Sequence, residues 1–260
     1  MDKILRIDVG APGGPKAVVT PLGEYEGMGG RGMTSMVILK EVPADCHPLG
    51  PENKIVIAPG MLTGSAASTS GRISVGCKSP LTGGIKEANA GGQAGQTLAR
   101  LGYAAIILEG AAPANACYKV LINKDGVQIS DATDYKGLLN YDLIEKIKAA
   151  HGEKVAVMSI GPAGEMKMAA ATIAVTDREM RPSRHAGRGG VGAVMGSKGI
   201  KAIIIYPMNA LADDQAKRIA ELVREADLIL VMEWYHRDRV LELDPQAAGR
   251  TFLLGGYPHG

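Results

Sequence analysis

The sequence predicts an α+β fold in which one structural unit occurs twice. Two short runs rich in β-branched residues, 54–60 and 154–161, each end in a Gly/Pro turn, which is the pattern of a buried strand. Each run is followed, in the same order, by a glycine-rich loop, at 90–95 and at 187–192. A spacing of roughly a hundred residues between matching segments indicates an internal repeat.

Each glycine-rich loop leads into a short helix of small residues, a terminating glycine and a second buried strand. Glycine at that position adopts the left-handed conformation that ends many helices. The matching helices, glycines and strands are 96–100 and 193–197, Gly102 and Gly199, and 104–109 and 201–206. We therefore expect 54–109 and 154–206 to superpose as one α+β unit.

Further elements are predicted before the first unit. The segments 4–9 and 16–20 flank a Gly-Gly pair and predict a β-hairpin. A third glycine cluster, at 27–32, opens a predicted helix at 33–40. Arg72 lies in a β-like segment and, taken alone, would be an ordinary arginine of an edge strand.

The segment 184–198 carries the strongest functional signal, because it combines glycines with cations. The glycines leave backbone amides uncovered and allow a positive φ, so the loop can fold around an anion. Helix-compatible apolar residues follow, which would place these amides at a helix N-terminus, where negative charge is favoured. The glycines are Gly187, Gly189, Gly190 and Gly192, and the cations are Arg184, Arg188 and Lys198. This combination predicts a phosphate site.

The repeat extends this prediction to the first half. Arginines that neighbour glycines suit bidentate phosphate binding, and they are Arg31, Arg72, Arg184 and Arg188. We expect Gly91, Gly92 and the 187–190 loop to line one cleft between the halves. Arg72 and Arg184 should point into that cleft.

Two familiar phosphate-binding loops fit the segment poorly, and a structural alternative remains open. A Walker A loop needs Gly-Lys-Ser/Thr, whereas the order here is Gly196-Ser197-Lys198. A dinucleotide fingerprint needs a strand directly before the glycines, but a polar stretch stands there. Alternatively, the glycines only permit close helix packing. If they bind a ligand, Gly190→Val should abolish binding and leave the fold largely intact.

Composition limits the class of protein. The chain has 260 residues, enough for one large domain or two small ones. A net charge of +2 and 4% aromatic residues argue against general nucleic-acid binding. Cys46, Cys77 and Cys117 are far apart, which predicts free thiols rather than a disulfide framework or metal site. Without a membrane-length apolar stretch or a signal peptide, we expect a cytoplasmic protein.

Short motifs in residues 1–207 occur in a specific order. They are Gly29-Gly-Arg-Gly32, Pro51-Glu-Asn-Lys54, Leu62-Thr-Gly-Ser65, Lys78-Ser-Pro-Leu-Thr-Gly83, Ala88-Asn-Ala-Gly-Gly92, Gly161-Pro-Ala-Gly-Glu165 and the whole of 186–198. Together they resemble the N-terminal domain of the tungsten-containing aldehyde ferredoxin oxidoreductases. The resemblance implies a duplicated α+β domain, in agreement with the repeat.

The resemblance also implies a tungsten or molybdenum bis-pyranopterin, with the metal held by pterin sulfurs rather than by protein side chains. Arg72 would lie between a pterin and an iron–sulfur cluster. Asn89 and His185 would turn backbone carbonyls towards a magnesium ion that bridges the two pterin phosphates, and hard oxygen ligands suit this ion. The implied cofactor-binding residues are Gly30, Arg31, Gly32, Arg72, Asn89, Gly91, Gly92, Arg184, His185, Gly187, Arg188, Gly189 and Gly190. No catalytic side chain is implied.

Two features depart from the family. Its enzymes continue into helical domains that hold the cysteines of a 4Fe-4S cluster, and these domains are missing here. The tail, 208–260, contains a predicted amphipathic helix at 213–227 and then resembles a piece of the low-molecular-weight protein-tyrosine phosphatases at 226–233, 236–239 and 249–254. The phosphatase nucleophile loop, Cys-x5-Arg, is absent, which favours a fused or truncated reading frame over phosphatase activity.

The predicted function is the tungstopterin-binding domain of an aldehyde ferredoxin oxidoreductase-like protein. The full reaction would oxidise an aldehyde to a carboxylate and pass electrons through the cluster to ferredoxin. One alternative is a non-catalytic module that carries the cofactor or docks onto a subunit holding the missing domains. A second is an unrelated nucleotide-binding protein. We expect the chain alone to hold no iron–sulfur cluster and to oxidise no aldehyde, unless a homo-oligomer closes the open face.

Overall fold

The chain divides into two units, Met1–Met208 and Asn209–Gly260, in a computed structural model that describes residues 1–207, 223–226, 229–231 and 234–253. Among these residues, no helix is both long and apolar enough to span a membrane.

The first unit contains two six-stranded mixed sheets of the same topology. The first sheet has the order β2-β1-β6-β3-β4-β5, formed by β1 (Lys3–Asp8), β2 (Lys16–Pro21), β3 (Ile55–Pro59), β4 (Ile73–Lys78), β5 (Ile85–Ala90) and β6 (Tyr103–Glu109). The second has the order β8-β7-β12-β9-β10-β11, formed by β7 (Tyr118–Asn123), β8 (Gly126–Asp131), β9 (Ala156–Ser159), β10 (Ile173–Val175), β11 (Arg184–Ala186) and β12 (Ile200–Ile205). In each sheet the first and last strands of the repeat pair in parallel, and the other pairs are antiparallel.

Five helices accompany the sheets: α1 (Gly30–Glu41), α2 (Ala94–Arg100), α3 (Asn140–His151), α4 (Pro162–Glu165) and α5 (Val191–Ser197). The outer helices α1 and α3 are each twelve residues long and follow a short 3-10 turn. Each buries one apolar stripe against one sheet, α1 through Met33 and Val37, and α3 through Leu143 and Ile147. The helices α2 and α5 contribute instead to a central core that joins the inner faces of both sheets.

This layering explains why the central strands are apolar on both faces. In β3, β6 and β12 nearly every residue is buried, because helices cover one face and the shared core covers the other. The outermost strand β2 is mostly exposed and carries polar residues as well as valines.

The structure confirms the duplicated α+β fold and shows that the repeat is longer than the sequence indicated. The predicted units 54–109 and 154–206 have the same element order, and the hairpin and helix before the first unit also recur, at 118–151. This earlier part has only a short sequence signal: Tyr25 and Gly27 before α1 match Tyr135 and Gly137 before α3, whereas the glycine cluster at 27–32 has no counterpart in the second copy. Arg72 precedes β4, which lies between β3 and β5, so the edge-strand interpretation of this segment is wrong.

The two sheets approach each other at their ends. The strands β5 and β11 are the terminal strands of their sheets, and they contact each other without joining into one sheet. Terminal strands present backbone groups that have no ladder partner on their outer side. The contact between β5 and β11 therefore creates a polar seam between the two halves.

In the second unit, β13 (Ile229–Val231) and β14 (Thr251–Leu253) pair in parallel, and α6 (Trp234–Leu243) connects them. Arg250 donates hydrogen bonds to the carbonyls of Arg224 and Ala226, both at 2.8 Å, and pairs with Asp244 at 2.7 Å. Of the helix predicted at 213–227, most lies outside the described residues, although 223–225 are helical.

Candidate functional site

A cavity of about 370 Å³ lies on the seam between β5 and β11. Its lining residues come from both halves of the repeat: Arg31, Arg72, Glu87, Asn89, His185, Gly187 and Arg188. Three guanidinium groups face a single carboxylate, so the cavity is cationic. This charge balance suits an anionic ligand.

Strand alternation decides which side chains face this cavity. Glu87 and Asn89 are two residues apart on β5, while Ala88 and Ala90 on the other face are buried in the central core. On β11, His185 lines the cavity and Ala186 is buried in the core.

Arg184 alternates with His185 on β11 and therefore lies on the opposite face of the strand. Within residues 1–207, which the structure describes throughout, the cavity lining does not include Arg184. The prediction that Arg184 and Arg72 point into one cleft is therefore wrong for Arg184. The sequence did not reveal this, because 177–183 resembled a polar loop and no strand was predicted at 184–186.

Two side chains of β5 fix two of the arginines. Arg72 donates from Nε to Oδ1 of Asn89, whose Nδ2 donates to Oγ of Ser74 at 3.2 Å. Arg31, in the first turn of α1, donates from Nε to Oε2 of Glu87 at 3.2 Å. The other carboxylate oxygen of Glu87, Oε1, is buried and has no partner among the described residues. An unpartnered buried acceptor costs about 1–3 kcal/mol, and such groups in a native fold call for a functional explanation.

The repeat places a matching pair in the second half. Asn89 and His185 occupy equivalent positions, because Ala90 pairs with Ile73 just as Ala186 pairs with Ile173. Arg72 and Thr172 each precede the neighbouring strand. Thr172 Oγ1 lies 3.1 Å from Nδ1 of His185, so the pair Thr172–His185 corresponds to Arg72–Asn89.

Three of the predicted cofactor-binding glycines pack tightly against other parts of the protein, either across the two halves or within one half. A Cβ at Gly92 would lie 2.6 Å from the carbonyl oxygen of Thr176, and one at Gly189 would lie 2.6 Å from Cγ of Lys86. A Cβ at Gly190 would lie 2.2 Å from the carbonyl oxygen of Ala169, and φ there is +70°. The expectation that Gly190→Val keeps the fold is therefore wrong. The packing alternative describes these three glycines correctly.

Other predicted glycines remain open. A Cβ at Gly91 would meet no atom within 4 Å, and one at Gly187 would meet only the carbonyl oxygen of His185, at 4.0 Å. Gly32 is equally open, whereas Gly30 begins α1 at φ +52°. Gly187 lines the cavity, so it is the glycine of the 187–190 loop that a ligand can approach.

The two glycine loops do not line one cleft. Gly189 lies beside Lys86, at the beginning of β5, whereas Gly92 follows the end of that strand. Six residues of extended chain correspond to roughly 20 Å. The cavity lies between the loops, and only Gly187 of the predicted glycine loops belongs to its lining.

Lys198 does not contribute to the cationic loop. Its side chain is fully buried, and Nζ donates to the carbonyls of Gly50 and Gly110 at 3.0 and 2.6 Å. Burial lowers the pKa of Lys198 to about 8. This lysine therefore connects the second half to the first and is unavailable to an anion in the cavity.

All three cysteines are buried and free, as the sequence predicted. Burial raises the pKa of each thiol, and that of Cys77 to about 12. Such thiols are poor nucleophiles at neutral pH. The described residues contain no group of three or more His, Cys, Asp or Glu side chains that could hold a metal ion.

Glu87 is the residue of the cavity that sequence reasoning missed. Its signal was present, because it stands two residues before Asn89 and shares a strand face with it. The segment 85–90 was not recognised as a strand, so the alternation could not be applied.

Comparison with known proteins identifies the family. Residues 4–207 match the family model described as aldehyde ferredoxin oxidoreductase, N-terminal domain. The chain belongs to the aldehyde ferredoxin oxidoreductase family. The tungsten-containing aldehyde ferredoxin oxidoreductase of Pyrococcus horikoshii is 42% identical over 199 residues, covering 76% of this chain and 32% of that protein. The corresponding protein of Thermococcus kodakarensis is 39% identical over 223 residues, covering 85% and 34%.

Two further similarities extend this group. The aliphatic sulfonate oxidoreductase, WOR-like subunit, of Pyrococcus furiosus is 34% identical over 217 residues, covering 76% of this chain and 33% of that protein. The active-site complex BamBC of benzoyl-coenzyme A reductase, solved with 1,5-dienoyl-CoA, matches with a TM-score of 0.71 and 28% identity, covering 87% of this chain and 35% of that one. The chain thus spans about a third of the length of these family relatives, and the family is one of oxidoreductases.

Proposed function

We propose that this chain is the tungstopterin-binding part of an enzyme that oxidises an aldehyde to a carboxylate and passes the electrons to ferredoxin. The cationic cavity on the β5–β11 seam is the observation that carries this proposal. It offers Arg31, Arg72 and Arg188 to phosphate groups, and the names of the closely similar proteins include tungsten.

Pseudo-symmetry supports a ligand with two similar arms. Asn89 and His185 are equivalent residues of the repeat, and both line the cavity. Two phosphorylated pterins, one for each half, would match this arrangement. We propose that backbone carbonyls of these two residues face a magnesium ion between the phosphates, since oxygen ligands suit magnesium.

The cofactor would bring the redox chemistry of its metal, and this chain would bring binding and electrostatics. Arg31, Arg72 and Arg188 would hold the phosphates. Gly187 would allow close approach to the backbone, because a side chain there would project into open space. Electron transfer to ferredoxin through a 4Fe-4S cluster would require the segments that the longer relatives have beyond this domain.

A second candidate is a cofactor-binding subunit that performs no reaction alone and docks onto a partner. Its support is the printed names of two similar proteins, one a WOR-like subunit and the other the active-site complex BamBC. Both candidates require the pterin to bind here. A nucleotide-binding protein is a third candidate, and retention on immobilised ATP or NAD would favour it.

Anaerobic expression with tungstate tests the proposal. We expect the purified chain to contain tungsten and to release a fluorescent pterin after oxidation. We also expect it to lack stoichiometric iron and to turn over no aldehyde with a dye acceptor, because a 4Fe-4S cluster needs four ligands and the described residues contain no group of three or more His, Cys, Asp or Glu side chains that could hold a metal.

The matched variants are Arg31→Ala/Arg72→Ala, which should lose tungsten and pterin, and Arg184→Ala, which should retain both. Equal loading of all three proteins would contradict the site. Adding a subunit with the missing domains separates a part that completes an enzyme, which should gain aldehyde turnover, from a module that only carries the cofactor, which should show none.

A further inference from the structure

Arg31 and Arg72 are held in the same way, although they come from different elements. Each donates a hydrogen bond from Nε, Arg31 to Glu87 and Arg72 to Asn89. Among the described residues, the terminal nitrogens of neither arginine have a hydrogen-bond partner. The side chain of Arg31 is 76% exposed, so its terminal nitrogens are accessible.

The two acceptors form one rigid unit. Glu87 and Asn89 stand on the same face of β5, about 7 Å apart along the strand. Asn89 is fixed by its hydrogen bond to Ser74, and the side chain of Glu87 is only 10% exposed. A strand with buried neighbours on its other face cannot easily rotate, so both acceptors have defined positions.

A guanidinium held by Nε keeps both terminal nitrogens for a ligand. These two nitrogens match the spacing of two oxygens of a phosphate, and fixing the side chain beforehand reduces the entropy that binding removes. The arrangement therefore prepares two bidentate donors on one side of the cavity.

Glu87 also has an effect that opposes anion binding. Its carboxylate lies in a cavity that would receive an anion, and like charges repel. If Glu87 acted only through its charge, removing it would strengthen anion binding. If it acts through Arg31, removing the hydrogen bond would weaken binding despite the loss of the charge.

We propose that Glu87 and Asn89 are positioning residues that hold Arg31 and Arg72 by Nε and direct their terminal nitrogens to phosphate groups of the ligand. This inference rests on the proposed function, because it concerns the same cavity. Glu87 and Asn89 touch the arginines rather than the phosphate.

Titration calorimetry of the full chain with pyrophosphate separates charge from positioning. We expect Glu87→Ala to bind about tenfold more weakly than the parent, because a charge-assisted hydrogen bond is lost. Glu87→Gln keeps an oxygen acceptor and removes the charge, so it should bind at least as tightly as the parent. In an Arg31→Ala background, Glu87→Ala should cause no further weakening.

The free protein gives an independent readout. The Nε–H groups of Arg31 and Arg72 should exchange slowly with solvent in arginine-selective NMR spectra. Glu87→Ala should abolish the protection of Arg31 alone, and Asn89→Ala that of Arg72 alone. A merely structural role would instead disturb both signals and the backbone spectrum.

The outcomes distinguish this inference from the proposed function. Pyrophosphate binding by the parent, with equal or tighter binding by Glu87→Ala, would overturn the positioning roles and leave the anion site standing. Failure of the parent to bind pyrophosphate would overturn both. Weak binding by Glu87→Ala with recovery in Glu87→Gln would support both.

Discussion

Glu41 ends α1 in the first half of the repeat, and His151 ends α3 at the equivalent position of the second. Glu41 accepts hydrogen bonds from Arg6, Lys54 and Tyr25 at 2.6–2.8 Å. His151 has one neutral partner, with Nδ1 lying 2.6 Å from Oη of Tyr206.

The same backbone position thus holds an ionic network in one half and a His–Tyr pair in the other. Core positions behave differently, because Met33 and Leu143, or Val37 and Ile147, remain apolar and buried in both copies. Packing must be complementary on every side, whereas a polar position at a helix end needs only local partners. Duplication thus kept the scaffold and left the polar positions free to diverge.

At the seam, too, the two copies share a backbone arrangement but differ in their polar side chains. Arg72–Asn89 and Thr172–His185 are equivalent pairs, yet only the first half contributes guanidinium groups from α1 and from the segment before β4. The second half contributes Arg188 from its loop, which has four residues between β11 and α5 where the first has three between β5 and α2. The cavity is therefore symmetric in backbone and asymmetric in charge.

The largest expected effect is a loss of stability, caused by a substitution that disrupts packing at the seam. Gly190→Val should lower the free energy of unfolding by about 3 kcal/mol or more, because Cβ would overlap Ala169 and φ is positive. Gly187→Val, in the same loop, should change stability by less than about 0.5 kcal/mol, because its Cβ meets open space. Urea unfolding of both variants measures their free energies of unfolding. Similar losses in the two would show that the loop packs differently.

The next effect concerns the ionic network of the first half. Burial acts to raise the pKa of Glu41, but hydrogen bonds from Arg6, Lys54 and Tyr25 outweigh it and lower the pKa to about 2. Because the folded-state pKa lies below the ordinary 4.5, the network stabilises the fold above pH 4.5, and this contribution is lost as the pH falls towards 2. The loss should be about 2–3 kcal/mol.

Glu41→Gln is the control for this titration. It should be less stable than the parent at pH 7, and the difference between them should shrink as the pH is lowered towards 2. Thermal unfolding across that range measures the difference. A constant difference would mean that Glu41 does not carry the acid sensitivity.

The equivalent position of the second half should respond at milder acidity. Burial and the nearby charge of Lys119 lower the pKa of His151 below its ordinary 6.5. The unfolded chain then takes up the proton first, so stability falls as the pH drops below 6.5. We expect this loss to be smaller than the one at Glu41, because burial and one nearby cation replace a network of three hydrogen-bonded partners. His151→Phe should remove this part of the pH dependence, and an unchanged profile would contradict the assignment.

The smallest effect compares two neighbouring arginines of the second half. Arg188→Ala should weaken pyrophosphate binding about threefold, because it removes one exposed guanidinium from the cavity. Arg184→Ala should leave the affinity unchanged, since Arg184 lies on the other face of β11. Calorimetry measures both, and equal weakening would place Arg184 at the ligand.

Most residues that line the cavity were predicted from the amino-acid sequence. Arg31, Arg72 and Arg188 were predicted from their glycine neighbours, and Asn89 and His185 from family motifs, and all five line the cavity. Glu87 and the opposite orientation of Arg184 were not predicted, because both depend on strands that the sequence pattern did not reveal.

Short-range sequence patterns were enough to predict the local structure and the duplicated order of elements. Runs of β-branched residues define strands, and glycines allow the turns that end helices, because both effects act over a few neighbouring residues. Family motifs, likewise local, identified the oxidoreductase family to which the chain belongs.

Long-range packing determines which glycines face a ligand and which face protein. Gly187 and Gly190 stand three residues apart in one loop, yet the first borders the cavity and the second presses against Ala169. Lys198 likewise follows the loop in sequence but binds carbonyls of the other half. These outcomes depend on contacts between residues far apart in the chain, which exist only after the two sheets have packed around their common core.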